Sequence, residues 1–246
     1  MMTLYTEILY RPLFNAVVFL YNVLPGNDFG LAIIALTAII RVFFFPLSIK
    51  TVRSQKELNQ LNPKMQEIKQ RLKGDSAAQS AEIMKLYKDH NINPLAGCLP
   101  LLIQLPILIA LYQAFIAGLK PENLSLLYGF VLNPGVINPI SFGFMDITSK
   151  IPLLAVLAGG AQFIQAWVSK TQNQGAGVNK EMKALNSQML YFFPIMIIII
   201  GWNLPAGLVL YWITTTVFSI LEQVYIKYRD PELSSPNGLT GGARNK

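Results

Sequence analysis

From Phe29 to Leu47 the chain runs nineteen residues with one charged side chain, Arg41. About twenty apolar residues in a helix rise roughly 30 Å, the thickness of a bilayer's hydrocarbon core. Four further apolar runs follow, at about 95–119, 151–168, 189–202 and 206–226, with the first lying at about 29–48. Inside lipid each backbone N–H and C=O must be paired within its own segment, which leaves helices for runs of this length. Composition agrees: 13% of residues are charged, against roughly 25% in a soluble domain, and the mean hydropathy is +0.41. The expectation is an all-α polytopic membrane protein with a core of five transmembrane helices at 29–226. The fourth, Met189 to Trp202, is short for a span.

Segments between these runs are polar and differ in kind. Leu4 to Leu24 is apolar but broken by Glu7, Arg11, Pro12 and Asn15. Residues 1–28 are therefore expected as an extracytoplasmic amphipathic helix lying in the interface, with a sixth span as the alternative. No basic segment and short apolar core precede an A-x-A-like site, so no cleavable signal peptide is expected. From Lys50 to Asn93 there are nine Lys/Arg and five Asp/Glu. Leu61, Met65, Ile68 and Leu72 recur there at helical spacing. Asn62-Pro63 offers a helix start, Gly74 a stop, and Asp75 or Ser76 the next N-cap. Ile83, Leu86 and Tyr87 give the second helix an apolar face. This predicts a helical hairpin in water over 50–93. The 120–150 segment is a loop rich in Pro, Gly and Asn, and 169–188 is polar with Gly175 and Gly177. Residues 227–246 read as a basic disordered tail.

With five spans, sixteen Lys/Arg fall on the side of the hairpin, the 169–188 loop and the tail, and three (Arg11, Lys120, Lys150) on the other. The positive-inside bias then puts hairpin and tail in the cytoplasm and the N-terminus outside. The net charge of +7 is thus a matter of loop topology, and no direct nucleic-acid readout is expected. Cys98 is the only cysteine, which excludes an intrachain disulfide and a thiolate metal site, and His90 lies in a charged segment. No Walker motif, H-E-x-x-H or nucleophile elbow is present. Neither enzymatic activity nor a cofactor is expected.

Arg41 is the residue that asks for a function. A guanidinium near the bilayer centre costs at least about 2.5–3.5 kcal/mol, and arginine does not escape by deprotonating. No Asp or Glu occurs in the interior of the spans, Glu222 lying near the cytoplasmic end of the last. Two readings follow. Arg41 snorkels to the cytoplasmic interface along its alkyl stem, or the helices surround a water-filled cavity. Thr37, one turn before Arg41, and Gln104, Gln162 and Gln165 in the second and third spans favour the cavity, although glutamines also hydrogen-bond helices together.

Three segments carry a family resemblance: IIRVFFFPLSIKTVRSQKELNQLNPKMQEI (Ile39 to Ile68), NPLAGCLPLLIQLPILIALYQAF (Asn93 to Phe115) and NLPAGLVLYW (Asn203 to Trp212). In order and spacing they resemble the YidC/Oxa/Alb membrane protein insertases, in the short bacterial form that lacks a large periplasmic domain, from about Leu4 to Tyr228. The resemblance implies a five-helix core around a hydrophilic groove, closed toward the outside and open to cytoplasm and lipid. It implies that Arg41, Thr37, Gln104 and Gln165 line the groove and that Tyr211 and Trp212 face the substrate. It also implies a cytoplasmic hairpin needed for activity and a tail that meets ribosomes, although this tail is only modestly basic. The implied partners are nascent membrane proteins, the ribosome, the Sec translocon and membrane lipids, for a protein that works as a monomer in the bacterial inner or plasma membrane. Two rivals stand beside the insertase: a small anion transporter using Arg41, for which no internal repeat is found, and a scaffold that holds membrane subunits through the hairpin.

Overall fold

The computed structural model describes residues 2–90, 92–93, 99–114, 121–172 and 180–229. Cys98, Gly175, Gly177 and the tail from Asp230 lie outside the described residues. The chain is mostly helical and divides into two compact units. One holds Met1–Phe44, Leu101–Phe163 and Phe193–Ser219; the other holds Phe45–Pro100, Ile164–Phe192 and Ile220–Lys246.

Helix α1 (Met2–Tyr5) passes through a π turn (Thr6–Tyr10) into α2 (Arg11–Val23), and α3 follows at Phe29–Gln60. Helices α4 (Asn62–Arg71), α5 (Ser76–Asp89), α6 (Leu99–Gln113), α7 (Pro152–Gln172), α8 (Lys180–Gly201) and α9 (Ala206–Arg229) complete the chain. Three stretches are long and apolar enough to cross a bilayer: Phe29–Gln55, Pro152–Ser169 and Ala206–Arg229. Gln104–Gln113 and Leu190–Gly201 are apolar but shorter. The second expected span runs in part through residues 94–98 and 115–120, outside the described ones. Helix α3 continues past the expected boundary near residue 48, carrying Pro46 inside it; α6 and α8 likewise enclose Pro106 and Pro194. Each proline lacks an N–H and leaves a carbonyl one turn back without its helical donor, which membrane helices tolerate where neighbours re-satisfy it.

In the first unit, α2 supplies much of the core. Phe14, Val17, Val18 and Tyr21 pack with Phe29, Ile33 and Leu36 of α3, Leu111 of α6 and Leu208 and Tyr211 of α9. The polar residues that interrupt the N-terminal segment face inward as well as outward. Asn15 is 2% exposed. Its Nδ2 donates to the carbonyls of Arg11 (2.8 Å) and Leu126 (3.1 Å), while Tyr128 N–H donates to its Oδ1 (2.6 Å). Arg11 Nε donates to Leu126 O at 3.0 Å, pairs with Glu7 at 3.0 Å, and lies 4.8 Å from the Tyr128 ring centroid. These groups fasten the N-terminal helix to the 121–150 loop.

That loop also covers two helix starts, whose first N–H groups have no partner within the helix. Strands β1 (Ile140–Ser141) and β2 (Met145–Asp146) pair antiparallel, Ile140 opposite Asp146. Ser141 Oγ accepts from Gly30 N at 2.8 Å. Asp28 accepts from Leu31 N at 3.0 Å and from Phe142 N at 2.5 Å. A side chain at position 30 would meet the Phe142 ring at 2.8 Å, so only glycine permits this approach. At α9, Ala206 N–H and Gly207 N–H donate to Ser149 O and Ile147 O, both at 2.8 Å.

In the second unit, α4 and α5 lie side by side. Arg71 pairs with Glu82, Tyr87 Oη donates to Met65 Sδ (3.3 Å), and Lys64 Nζ meets His90 Nε2 (3.0 Å). Partners that descend in α4 as they rise in α5 make the pair antiparallel. Gly74 turns the chain at φ +99°, and Asp75 caps α5 by accepting from Ala78 N at 2.9 Å. Leu61 and Ile68 are buried, and so is Gln66, which the hydrophobic pattern does not mark.

Candidate functional site among the core helices

Thr37 and Arg41 lie four residues apart on α3 and so share a helix face. Thr37 is 1% exposed, and its hydroxyl donates to Ile33 O at 2.7 Å, closing its donor within the helix. Arg41 is half-buried, with Ile39, Val42 and Phe43 around it exposed. From α6, Gln104 Nε2 donates to the Tyr211 hydroxyl on α9 at 2.5 Å. Tyr211 is 2% exposed, and its hydroxyl lies within electrostatic reach of the Arg41 charge. One carboxamide and one phenol therefore meet between two apolar helices, α6 and α9.

Trp212, next in sequence, turns elsewhere. A helix rotates about 100° per residue, and Trp212 packs half-buried against a small second cluster of Ala158, Ile197 and Val209. The two aromatics thus face different surroundings. Gln162 is half-buried on α7 in this unit, whereas Gln165, also half-buried, belongs to the second unit.

Sequence reasoning passed over a set of hydroxyls on α9. Thr214, Thr215, Thr216 and Ser219 are buried. Thr214, Thr216 and Ser219 donate to Leu210 O (2.8 Å), Trp212 O (2.9 Å) and Thr215 O (3.0 Å). The run Thr214-Thr215-Thr216 in an otherwise apolar span was the available signal. Among the described residues, no group of three or more His, Cys, Asp or Glu is placed to hold a metal ion. What this arrangement offers chemically is hydrogen bonding and a fixed positive charge.

The family described as 60Kd inner membrane protein matches residues 19–232. The chain belongs to this family. A membrane protein insertase YidC of Fusobacterium nucleatum is 34% identical over 200 residues, covering 81% of this chain and 86% of that protein. The YidC insertases of Geotalea daltonii and Geobacter sulfurreducens are 33% and 32% identical over 218 residues; the match takes 88% of this chain but 36% of theirs. The fold is also that of a solved structure described as an active YidC insertase crystal structure with the first transmembrane domain resolved. The TM-score is 0.57 at 24% identity, over 86% of this chain and 45% of that one. Much of those longer relatives therefore has no counterpart in the residues matched.

Proposed function

We propose that this chain is a membrane protein insertase, receiving the polar tail of a substrate span in a hydrophilic groove while the apolar part leaves into lipid. The observation that carries this reading is the Gln104–Tyr211 hydrogen bond between apolar helices, in a chain of the 60Kd inner membrane protein family whose apolar helix α3 carries Arg41. A short N-terminal tail must cross about 30 Å of hydrocarbon to be translocated. A wet cavity part-way across shortens the dry path, and a fixed cation there attracts acidic residues. No bond is made or broken, so the work is that of a chaperone and not of an enzyme.

In this reading Arg41 and Gln104 line the groove, Thr37 supports its wall one turn from Arg41, and Tyr211 and Trp212 meet the substrate. Five helices span the bacterial inner or plasma membrane, with the N-terminus outside, α4 and α5 forming a cytoplasmic hairpin, and the tail in the cytoplasm. The sixteen-to-three division of Lys/Arg supports that orientation. Nascent membrane proteins are the substrates, and ribosome, Sec translocon and lipids the partners, of a protein acting as a monomer.

The test compares Arg41→Lys with Arg41→Ala across substrates whose N-terminal tails vary in charge, reading the inserted fraction. Electrostatic capture predicts that Lys preserves most insertion and that Ala fails most for tails rich in Asp and Glu. Equal loss in both variants, independent of tail charge, points instead to a bidentate anion site of the kind a transporter needs, since lysine lacks the guanidinium fork.

A further inference from the structure

Folding leaves four large apolar side chains exposed on the 121–150 loop. Phe130 is 76% exposed, Leu132 79%, Val136 78% and Phe144 82%. No Asp, Glu, Lys or Arg occurs between Glu122 and Asp146. Contiguous exposed apolar surface marks a membrane or protein contact. A protein interface usually carries a polar rim around its apolar centre; here the stretch itself is uncharged, and the carboxylates at its edges, Asp28 and Asp146, are engaged with the backbone N–H groups of Phe142 and Thr148.

The loop's attachments fix its depth. Phe142 lies against Gly30, one residue into the apolar helix α3, and Ile147 O accepts from Gly207 at the start of α9. Asn22 Nδ2 donates to Leu132 O at 2.6 Å, joining the loop to α2, where Phe19 and Val23 are exposed. These side chains therefore belong to a loop anchored at two apolar helix ends, and Leu153 and Leu157 of α7, which follows the loop, are exposed as well.

The turn residues repeat the point. Ser141 O accepts from Phe144 N at 3.2 Å across a turn whose central residues, Phe142 and Gly143, have φ of +55° and +78°. Such a turn favours Asn-Gly, and a bulky side chain at positive φ is strained. Phe142 takes this conformation with its ring beside Gly30, which leaves Phe144 as the outermost aromatic of the turn.

We infer that this loop is a membrane-seated element that buries Phe130, Leu132, Val136 and Phe144 in the interfacial layer of the outer leaflet. Its partner is the phospholipid surface itself, held by apolar contact and not by headgroup charge. The inference rests on the proposed topology only for which leaflet is entered.

The test uses the full-length protein with Cys98 replaced by serine, in vesicles of phosphatidylethanolamine and phosphatidylglycerol. Single cysteines at 130, 136 or 144 carry the fluorophore NBD, and one at Ser76 serves as a water reference. All three loop positions should emit to the blue of the reference and be quenched several-fold more by lipids carrying a shallow nitroxide than by iodide, with no change on raising salt. Water-like emission with ready iodide quenching at all three overturns the inference, as does burial that appears only when another protein is added. External dithionite, which reduces NBD only on its own side, reads the leaflet separately. Blue-shifted probes on the inner side would overturn the topology and leave the lipid contact standing.

Discussion

Gly159 and Gly160 are neighbours on α7 and should respond in opposite directions to alanine. A Cβ at Gly159 would lie 2.4 Å from Ile198 Cγ1, 2.8 Å from Ile198 Cδ1 and 2.9 Å from the Pro194 carbonyl oxygen. The isoleucine can turn aside, but the carbonyl belongs to the backbone of α8. The two helices must then part by a few tenths of an ångström, at an overpacking cost of roughly 1–3 kcal/mol. Replacing Gly by Ala within a helix returns up to about 1 kcal/mol, so the net loss is about 0–2 kcal/mol. At Gly160 nothing lies within 4 Å of the added atom, and only the propensity gain applies. The two variants should differ by roughly 1–3 kcal/mol in reversible unfolding by dodecyl sulfate in mixed micelles, followed by circular dichroism. Adding Ile198→Ala to Gly159→Ala removes two of the three close contacts and should recover part of the added strain. Equal shifts of the same sign in both single variants would refute the close approach of α7 and α8.

Asn15→Ala should cost about 1–3 kcal/mol, because it strips the partner from Tyr128 N–H while Leu126 O keeps Arg11 Nε, and the Tyr128 amide should exchange hydrogen faster; unchanged exchange there counts against the fastening of loop to α2. Deleting residues 63–88 should abolish insertion while the remaining helices stay membrane-resident, measured by alkaline extraction and an insertion assay; normal insertion would reduce the α4–α5 pair to decoration. A cysteine at 41, with Cys98 replaced, should react with an impermeant thiol reagent added to inverted vesicles; labelling from the opposite side alone would sink a groove open to the cytoplasm.

Apolar runs announced α3, α7 and α9, because lipid-facing helices need hydrophobicity over their whole length and that survives in sequence without any partner. Helix punctuation was legible where it is local: Gly74 at positive φ and Asp75 as the α5 cap involve no residue more than three positions away. Long-range pairing was not. Glu7, Arg11 and Asn15 look in sequence like the wet side of an amphipathic helix, yet Asn15 is buried because its partners at Leu126 and Tyr128 lie more than a hundred positions along the chain. Gln104 and Tyr211 were each singled out, but only the fold joins them in one hydrogen bond. Gln66 and the hydroxyls of α9 were missed because polarity in a pattern reads as exposure, whereas Thr214, Thr216 and Ser219 return their donors to their own helix.

That last habit bears on how the polar site keeps its form. Thr37, Thr214, Thr216 and Ser219 close their donors on carbonyls four residues back, and Gln104 Nε2 closes on Tyr211. None of these bonds passes through Arg41. Removing one member of a buried ion pair usually costs 3–5 kcal/mol, because a charge is stranded. These five donors are closed on neutral acceptors, so Arg41→Ala takes away a charge and leaves each of them bonded. Among these bonds the one between Gln104 and Tyr211 joins two helices, and the other four stay within their own. This separation of charge from hydrogen bonding is what lets the lysine and alanine variants report on charge and not on folding.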